Sequence, residues 1–227
     1  MANAGQKVGA VIVAAGSGQR MEGVDKIFAL LHGKPALARA VDIFEKCPSI
    51  DQIVAVLSES NLEQGRQLAA TQQWSNVTVC LGGSRRQDSV AAGLNELQQC
   101  DWVVIHDGAR PLVTNDLIEK GLEAASETGA AVAAVPVTDT IKVAGDDYFV
   151  QGTPPRQRLW AVQTPQVFRF DIIAQAYQRV KVDVTDDATL VERLGYKVKL
   201  YMGSYDNIKI TTPSDLALAE ILVRKYE

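Results

Sequence analysis

The 227-residue chain is short of several things, and each shortage removes a class of protein. It has two histidines, His32 and His106, too few for a histidine-rich metal cage. Its three cysteines, Cys47, Cys80 and Cys100, fall in no C-x-x-C spacing. An odd number of them without a secretory signal points to buried free thiols rather than to bridges or zinc. No run approaches the roughly 18 apolar residues of a membrane span, and MANAGQK at the start holds no apolar signal core, so a cytoplasmic protein without membrane contact is expected. Positive charge is short as well: 23 Lys and Arg against 27 Asp and Glu leave a formal net charge of -4. Nucleic-acid binding needs a basic face and is not expected. Any anionic substrate must then be met by a few placed cations. Repeats, low-complexity tracts and linkers are also absent, and 47% hydrophobic residues at this length suit one globular domain with a full core.

What is present is alternation. Runs at 9–14, 52–57, 77–81, 101–105 and 130–135 are apolar on consecutive residues, as in strands buried on both faces. Helical patterns separate them at 35–46, 62–74, 85–97 and 116–127, and Ser60-Asn61-Leu62-Glu63 reads as a capping box for the second. The expected fold is therefore α/β, with a mostly parallel sheet, right-handed crossovers and ligands at the carboxyl ends of the strands. After Val137 the alternation breaks. Residues 138–163 read as a protruding β-hairpin arm around Ala144-Gly145-Asp146-Asp147, whose exposed edges a second copy of the chain would cover. Helices are then predicted at 171–180 and at 186–194, the latter capped by Thr185, with strands at 197–201 and 208–210. Thr212-Pro213-Ser214-Asp215 opens a last helix.

Four segments carry chemistry. The first strand empties into Ala14-Ala15-Gly16-Ser17-Gly18-Gln19-Arg20-Met21, where small residues let the backbone N–H groups approach phosphate oxygens and Arg20 adds a fork of donors. Met21 stands where a dinucleotide fingerprint needs its third glycine, and Gln19 stands where a P-loop needs lysine. A tight turn with an incidental surface arginine is the plainer alternative. Lys26 follows closely enough to neutralise a transferring phosphoryl group, though a lone lysine is more often a solvated charge. Gly82-Gly83-Ser84-Arg85-Arg86-Gln87-Asp88-Ser89-Val90 repeats the strand–glycine–helix theme, with Ser89 and Arg85 on one face near a positive helix end; a glycine-rich cap is the alternative. In His106-Asp107-Gly108-Ala109-Arg110-Pro111 a carboxylate directly follows a buried strand, where it can hold Mg²⁺ or merely cap a turn. Arg110 is placed to fix that carboxylate or to touch a substrate phosphate. His106 reads as a hydrogen-bonded structural side chain.

With these segments in order, and with DTIK (139–142), LWAVQTPQVF (159–168), TDDA (185–188) and DNIKIT followed by PSDL (206–216), the chain resembles the cytidylyltransferases of the methylerythritol phosphate isoprenoid pathway. The resemblance implies a Rossmann-like nucleotidyltransferase fold and transfer of a cytidylyl group from CTP to 2-C-methyl-D-erythritol 4-phosphate with release of pyrophosphate. It implies that the Ala14–Gly18 backbone, Gly82 and Ser89 hold the base and ribose, that Arg20 and Lys26 contact the phosphates, and that Asp107 binds Mg²⁺. Lys209 joins the α-phosphate site. Thr140, Arg156, Thr164, Thr185 and Asp206 line the acceptor pocket, with Arg110 beside them. The arm exchanges between subunits of a homodimer. Three residues depart from the family pattern: Val13 and Asp25 stand where relatives often have proline, and Gly83 replaces an acid found in some members. Arg158 competes with Arg156 for the acceptor phosphate. Other readings are a ribitol 5-phosphate cytidylyltransferase, a nucleotide-binding regulator without turnover, and an oxidoreductase, against which the missing third glycine counts.

Overall fold

The computed structural model describes residues 5–16, 25–180 and 182–226. In chain order the elements are β1 (Val8–Ala14), the short β2 (Leu30–Leu31) and β3 (Lys34–Pro35), α1 (Ala36–Glu45), β4 (Gln52–Leu57), α2 (Leu62–Gln72), β5 (Val77–Leu81), α3 (Arg86–Glu96) and β6 (Trp102–Asp107). Then come α4 (Asn115–Ala125), β7 (Ala130–Pro136), β8 (Val143–Ala144), β9 (Val150–Gly152), β10 (Trp160–Arg169), α5 (Phe170–Arg179), α6 (Asp187–Arg193), β11 (Lys199–Met202) and α7 (Pro213–Tyr226).

Seven strands form one sheet in the order β11-β7-β10-β6-β1-β4-β5. Strands β1, β4, β5 and β6 run parallel, as do β7 and β11, while β10 runs antiparallel to both of its neighbours. The sheet is buried on both faces because the pleat of β1 sends Ala10, Ile12 and Ala14 to one side and Val11 and Val13 to the other. On the first side Val41 and Phe44 of α1 and Ile118 and Leu122 of α4 complete the core. On the second, Val90 and Leu94 of α3, Ile173 of α5 and Leu190 of α6 do so. A smaller cluster seats Val223 of α7 on Leu31 and Ile210. No helix among the described residues is long and apolar enough to cross a membrane.

Several boundaries differ from the sequence reading, each for a physical reason. The arm is narrower than 138–163: β8 pairs with β9 in a separate two-stranded sheet, but Trp160–Val162 have already returned to pair with β7. Strand β10 was hidden because Gln163, Thr164 and Pro165 interrupt its apolar pattern at a break in register between Val162 and Gln166. The strand expected at 208–210 has no ladder and is tied to the body by Ile210 N donating to Ala109 O at 2.8 Å. Asp186, not Thr185, caps α6, accepting from Thr189 N at 3.2 Å. The capping box expected at Ser60 is replaced by a 3₁₀ turn over Glu59–Asn61. At α7 the expected cap does form: Thr212 Oγ1 accepts from Asp215 N, and the Asp215 carboxylate accepts from Thr212 N at 2.8 Å. All three cysteines are free, but only Cys47 is buried; Cys80 and Cys100 are half-buried, and desolvation pushes each thiol up to about 11.

Gly93 brings α3 onto the sheet. A Cβ there would lie 2.5 Å from Val11 Cγ1 and 2.8 Å from Val56 Cγ2, so Gly93→Ala must push the helix off β1 and β4. We expect this variant to lose about 1–3 kcal/mol in urea unfolding; an unchanged midpoint would mean that the helix has room to move.

Candidate active site

The carboxyl ends of β1, β4, β5 and β6 converge. Gly108 N donates to Val13 O at 2.8 Å and Gly82 N to Leu57 O at 2.7 Å, which brings the turns after these strands against Ala14 and Ala15. Two cavities open there. The first, about 300 Å³, lies between Ala14-Ala15-Gly16 and the Gly83–Arg86 turn, with Lys26 at its side. Lys26 Nζ stands over the loop, 3.9 Å from where a Gly16 Cβ would be. The second, about 520 Å³, lies toward β10 and α6 and is lined by Arg110, Thr164, Gln166 and Thr185. Arg86, Asp107 and Lys209 line both.

The shape of the first cavity comes from close packing. A Cβ on Gly82 would meet Ala15 Cβ at 2.6 Å and Ser89 Oγ at 2.7 Å. Ser89 is buried, and its hydroxyl is occupied by backbone: it lies 3.1 Å from Arg85 O and accepts from Gly83 N at 3.2 Å. Gly82 and Ser89 therefore shape the turn, while Gly83 and Ser84 present its inner surface.

Asp107, the last residue of β6, is buried and ringed by cations. Arg86 Nε is 3.2 Å from Oδ1, Lys209 Nζ is 2.7 Å from Oδ2, and Arg110 Nε is 3.8 Å from Oδ2. Burial alone would raise its pKa, but Arg86, Lys209 and Arg110 together outweigh burial and hold the carboxyl well below the usual range. Arg86 extends the cluster inward, with Nη2 2.9 Å from Oδ2 of the fully buried Asp187. Burial disfavours its charge, yet Asp187 and Asp107 more than restore it. Arg110 is anchored by Nη1 donating to Asn207 O at 2.6 Å, while its Nε remains a buried donor without a hydrogen bond.

His106 lies under this cluster. Its Nε2 is 3.0 Å from Arg110 O, which can only accept, so Nε2 carries the proton and Nδ1 is the acceptor. Thr164 Oγ1, 3.0 Å from Nδ1, must then spend its proton on His106 while accepting from Asp107 N at 3.0 Å. Thr164 is thereby a brace for the Asp107 backbone, and toward the second cavity it has only a lone pair to offer.

Of the residues singled out in the sequence, Ala14, Ala15, Gly16, Lys26, Ser89, Asp107 and Lys209 border the first cavity, and Arg110, Thr164 and Thr185 the second. Gly82 lies behind the first cavity's wall. Thr140 and Arg156 border neither; both are exposed on the arm side, and Arg156 Nη1 donates to Thr138 O at 2.7 Å. Asp206 also borders neither and binds Lys225 Nζ at 2.7 Å. Ser17, Gly18 and Arg20 lie outside the described residues. The sequence reading overlooked Arg86. Its one signal was an Arg-Arg pair at a helix N-terminus, where the dipole disfavours cations and something else must hold them.

A full-length comparison fixes the relationship. The model of the 2-C-methyl-D-erythritol 4-phosphate cytidylyltransferase family (IspD) matches residues 8–225. The enzyme of that name from Dehalococcoides mccartyi strain CBDB1 is 55% identical over 221 residues, covering 97% of each chain. The chain belongs to this family. The one from Alkaliphilus oremlandii is 43% identical, covering 96% of this chain and 95% of its own. Among solved structures, 4-diphosphocytidyl-2C-methyl-D-erythritol synthase from Anaerococcus prevotii superposes with a TM-score of 0.88 at 30% identity, covering 98% of both chains. The Thermus thermophilus 2-C-methyl-D-erythritol 4-phosphate cytidylyltransferase does so at 0.79 and 32% identity, covering 96% of this chain and 99% of its own. The IspD family fold thus includes the nucleotidyltransferase-like sheet described above, and its members are nucleotidyltransferases.

The donor set also limits how this family member can hold a metal. Among the described residues no three His, Cys, Asp or Glu groups come together. Among the described residues Asp107 is the sole carboxylate bordering both cavities. That fits Mg²⁺ in the mode in which one carboxylate and substrate phosphates share the ion, and it does not fit an all-protein cage.

Burial pushes His106 down to about 4 from 6.5, with the hydrogen bond to Arg110 O only partly opposing it. Between those values the unfolded chain takes up a proton that the folded chain refuses, so stability is full above pH 6.5 and falls as the pH drops toward 4, by up to about 3 kcal/mol. Urea unfolding at pH 7 and pH 4.5 should show this loss in the native protein and a smaller one in His106→Asn. Equal losses would show that folded His106 accepts the proton.

Proposed function

We propose that this chain transfers the cytidylyl group of CTP to the 4-phosphate of 2-C-methyl-D-erythritol 4-phosphate, giving the cytidine diphosphate derivative and pyrophosphate. Family membership supports the reaction. The observation in the structure that carries the reading is the shared wall: two separate cavities meet at Arg86, Asp107 and Lys209, where one phosphate can be brought against another.

In this reading an oxygen of the acceptor phosphate attacks the α-phosphorus in line, a phosphorus–oxygen bond forms, and the bond to the departing pyrophosphate breaks. The attacking oxygen is already anionic, so no general base is needed, and His106, neutral and braced against Thr164, supplies none. The work is to bring two anions together and to stabilise charge on phosphorus. Lys26 serves the nucleotide phosphates, with Arg20 from the segment outside the described residues. Lys209 serves the junction. The backbone of Ala14–Gly18 supplies N–H donors, with Gly82 and Ser89 holding the turn opposite; Arg110 and Thr185 face the acceptor. Asp107 would hold Mg²⁺ together with the nucleotide phosphates, and the ion would supply further positive charge there.

The arm supports a homodimer. Its tip exposes Tyr148 at 91%, Phe149 at 75% and Val150 at 59%, an apolar edge suited to pairing with a second copy. Thr140, Arg156 and the rival Arg158 lie on or beside that arm, outside both cavities of their own chain, which fits delivery to a neighbour's acceptor cavity. A cytoplasmic location accords with the absence of a membrane-crossing helix among the described residues.

Pyrophosphate release with Mg²⁺ and CTP should be fast with methylerythritol 4-phosphate and negligible with ribitol 5-phosphate or no acceptor; the reverse order would change the substrate. Lys26→Ala and Asp107→Asn should each lower turnover by about 10²-fold or more while remaining folded, and native-like turnover in either would remove that residue from the mechanism. In sedimentation equilibrium Phe149→Asp should shift the mass from two chains toward one; an unchanged mass would place the dimer contact elsewhere.

A further inference from the structure

Among the described residues Arg86 is the cation at the junction that meets two carboxylates, Asp107 and Asp187. It stands at the first position of α3, a helix whose distance from the sheet is fixed by Gly93 against Val11 and Val56. Its Nε reaches Asp107 Oδ1 at 3.2 Å and its Nη2 reaches Asp187 Oδ2 at 2.9 Å. Asp187 has no exposure and opens α6. Its contact with Arg86 is an ion pair without a hydrogen bond at Oδ2, whereas Oδ1 accepts a hydrogen bond from Tyr177 Oη of α5 at 2.5 Å. Tyr177 and Asp187 border neither cavity.

A guanidinium is a planar fork, so holding two of its nitrogens, Nε and Nη2, orients the whole group, which a lysine on a flexible stem cannot imitate. Lys209, the other strong partner of Asp107, is 37% exposed, whereas Arg86 is three-quarters buried. Removing one member of such a buried pair leaves an uncompensated charge, so the arrangement either forms as a unit or rearranges.

We propose that Arg86 is a positioning residue: anchored through Asp187 by Tyr177, it locks Oδ1 of Asp107, so that the carboxylate keeps one orientation at the junction of the nucleotide and acceptor cavities. Tyr177 of α5 and Asp187 of α6 thereby set the geometry of the reaction centre from outside both cavities. The proposal rests on the functional reading above.

The test compares the native full-length protein with Arg86→Lys and Tyr177→Phe, measuring kcat, both KM values, CTP affinity by calorimetry, and thermal melting. Misplacement at a reaction centre costs on the order of 10²-fold in kcat, which is expected of Arg86→Lys. With Mg²⁺ present its Kd for CTP should rise about tenfold, because Asp107, no longer held at Oδ1, presents a displaced carboxylate to the nucleotide. Tyr177→Phe replaces no cavity residue but loosens the anchor of Arg86, so kcat should fall several-fold while Kd and KM for CTP stay within about twofold, a split that loss of folded protein does not produce. If Arg86→Lys fails to fold, Tyr177→Phe decides alone. Native kcat in either folded variant, or losses that only follow the folded fraction, would overturn the proposal. Should the native protein release no pyrophosphate with any acceptor, the functional reading fails on that arm, and CTP affinity in Arg86→Lys still decides: a tenfold weakening supports the locking role and native affinity overturns it.

Discussion

The architecture turns on keeping one carboxylate ionised at the end of the central parallel strands. Taking a carboxylate out of water costs several kcal/mol even after relaxation, and Asp107 is buried with only a small fraction of its side chain exposed. The cost is offset by cations delivered from three places in the chain: Arg86 from the start of α3, Arg110 from the turn after β6 and Lys209 from the segment leading to α7. Their number exceeds what one carboxylate needs. Counting Asp187 as well, three cations meet two carboxylates, and Lys26 stands beside them across the first cavity. A chain of formal net charge -4 thus concentrates positive charge where two anions must approach each other.

Strand β10 makes this arrangement possible on the acceptor side. A purely parallel sheet would continue outward from β6 with another crossover; inserting an antiparallel strand between β6 and β7 instead places Gln163, Thr164 and Gln166 beside the carboxyl end of β6. The break in register at 163–165 carries Thr164 to His106 and to the Asp107 backbone, so the irregularity of the strand and the placement of the carboxylate are one feature. On the nucleotide side, β1 lies between β4 and β6, and the glycine turns open at this change of strand order, where ligands of α/β sheets bind.

How much of this was legible follows from how local each signal is. Strands buried on both faces announce themselves as apolar runs, and β1, β4, β5 and β7 fall where those runs lie. Asp107 was legible because a carboxylate ending such a run has few other reasons to be there. Strand β10 was not, since its polar and proline residues serve partners distant in sequence, His106 and Asp186 among them. Arg86 was overlooked for the same reason: its partners lie 21 and 101 positions away, and only the fold brings Asp107 and Asp187 to one guanidinium. Asp206 shows the converse. Its motif marked it for the acceptor, whereas its carboxylate is turned to Lys225 of α7.

The cations around Asp107 divide by how they are held. Arg86 has a second anchor in Asp187 and Arg110 one in Asn207 O, and both are largely buried, so a ligand meets them as fixed charges. Lys209 is more exposed, its Nζ is bound by Asp107 alone among the described residues, and an ammonium on a four-carbon stem reorients at little cost. On the proposed function, a phosphate entering the junction would therefore draw Lys209 away from Oδ2 first. The oxygen it leaves is the one facing the buried Arg110 Nε that lacks a hydrogen bond. Preorganisation and adjustment then reside in different residues: the guanidinium pair keeps the carboxylate in place, and the lysine follows the charge that arrives.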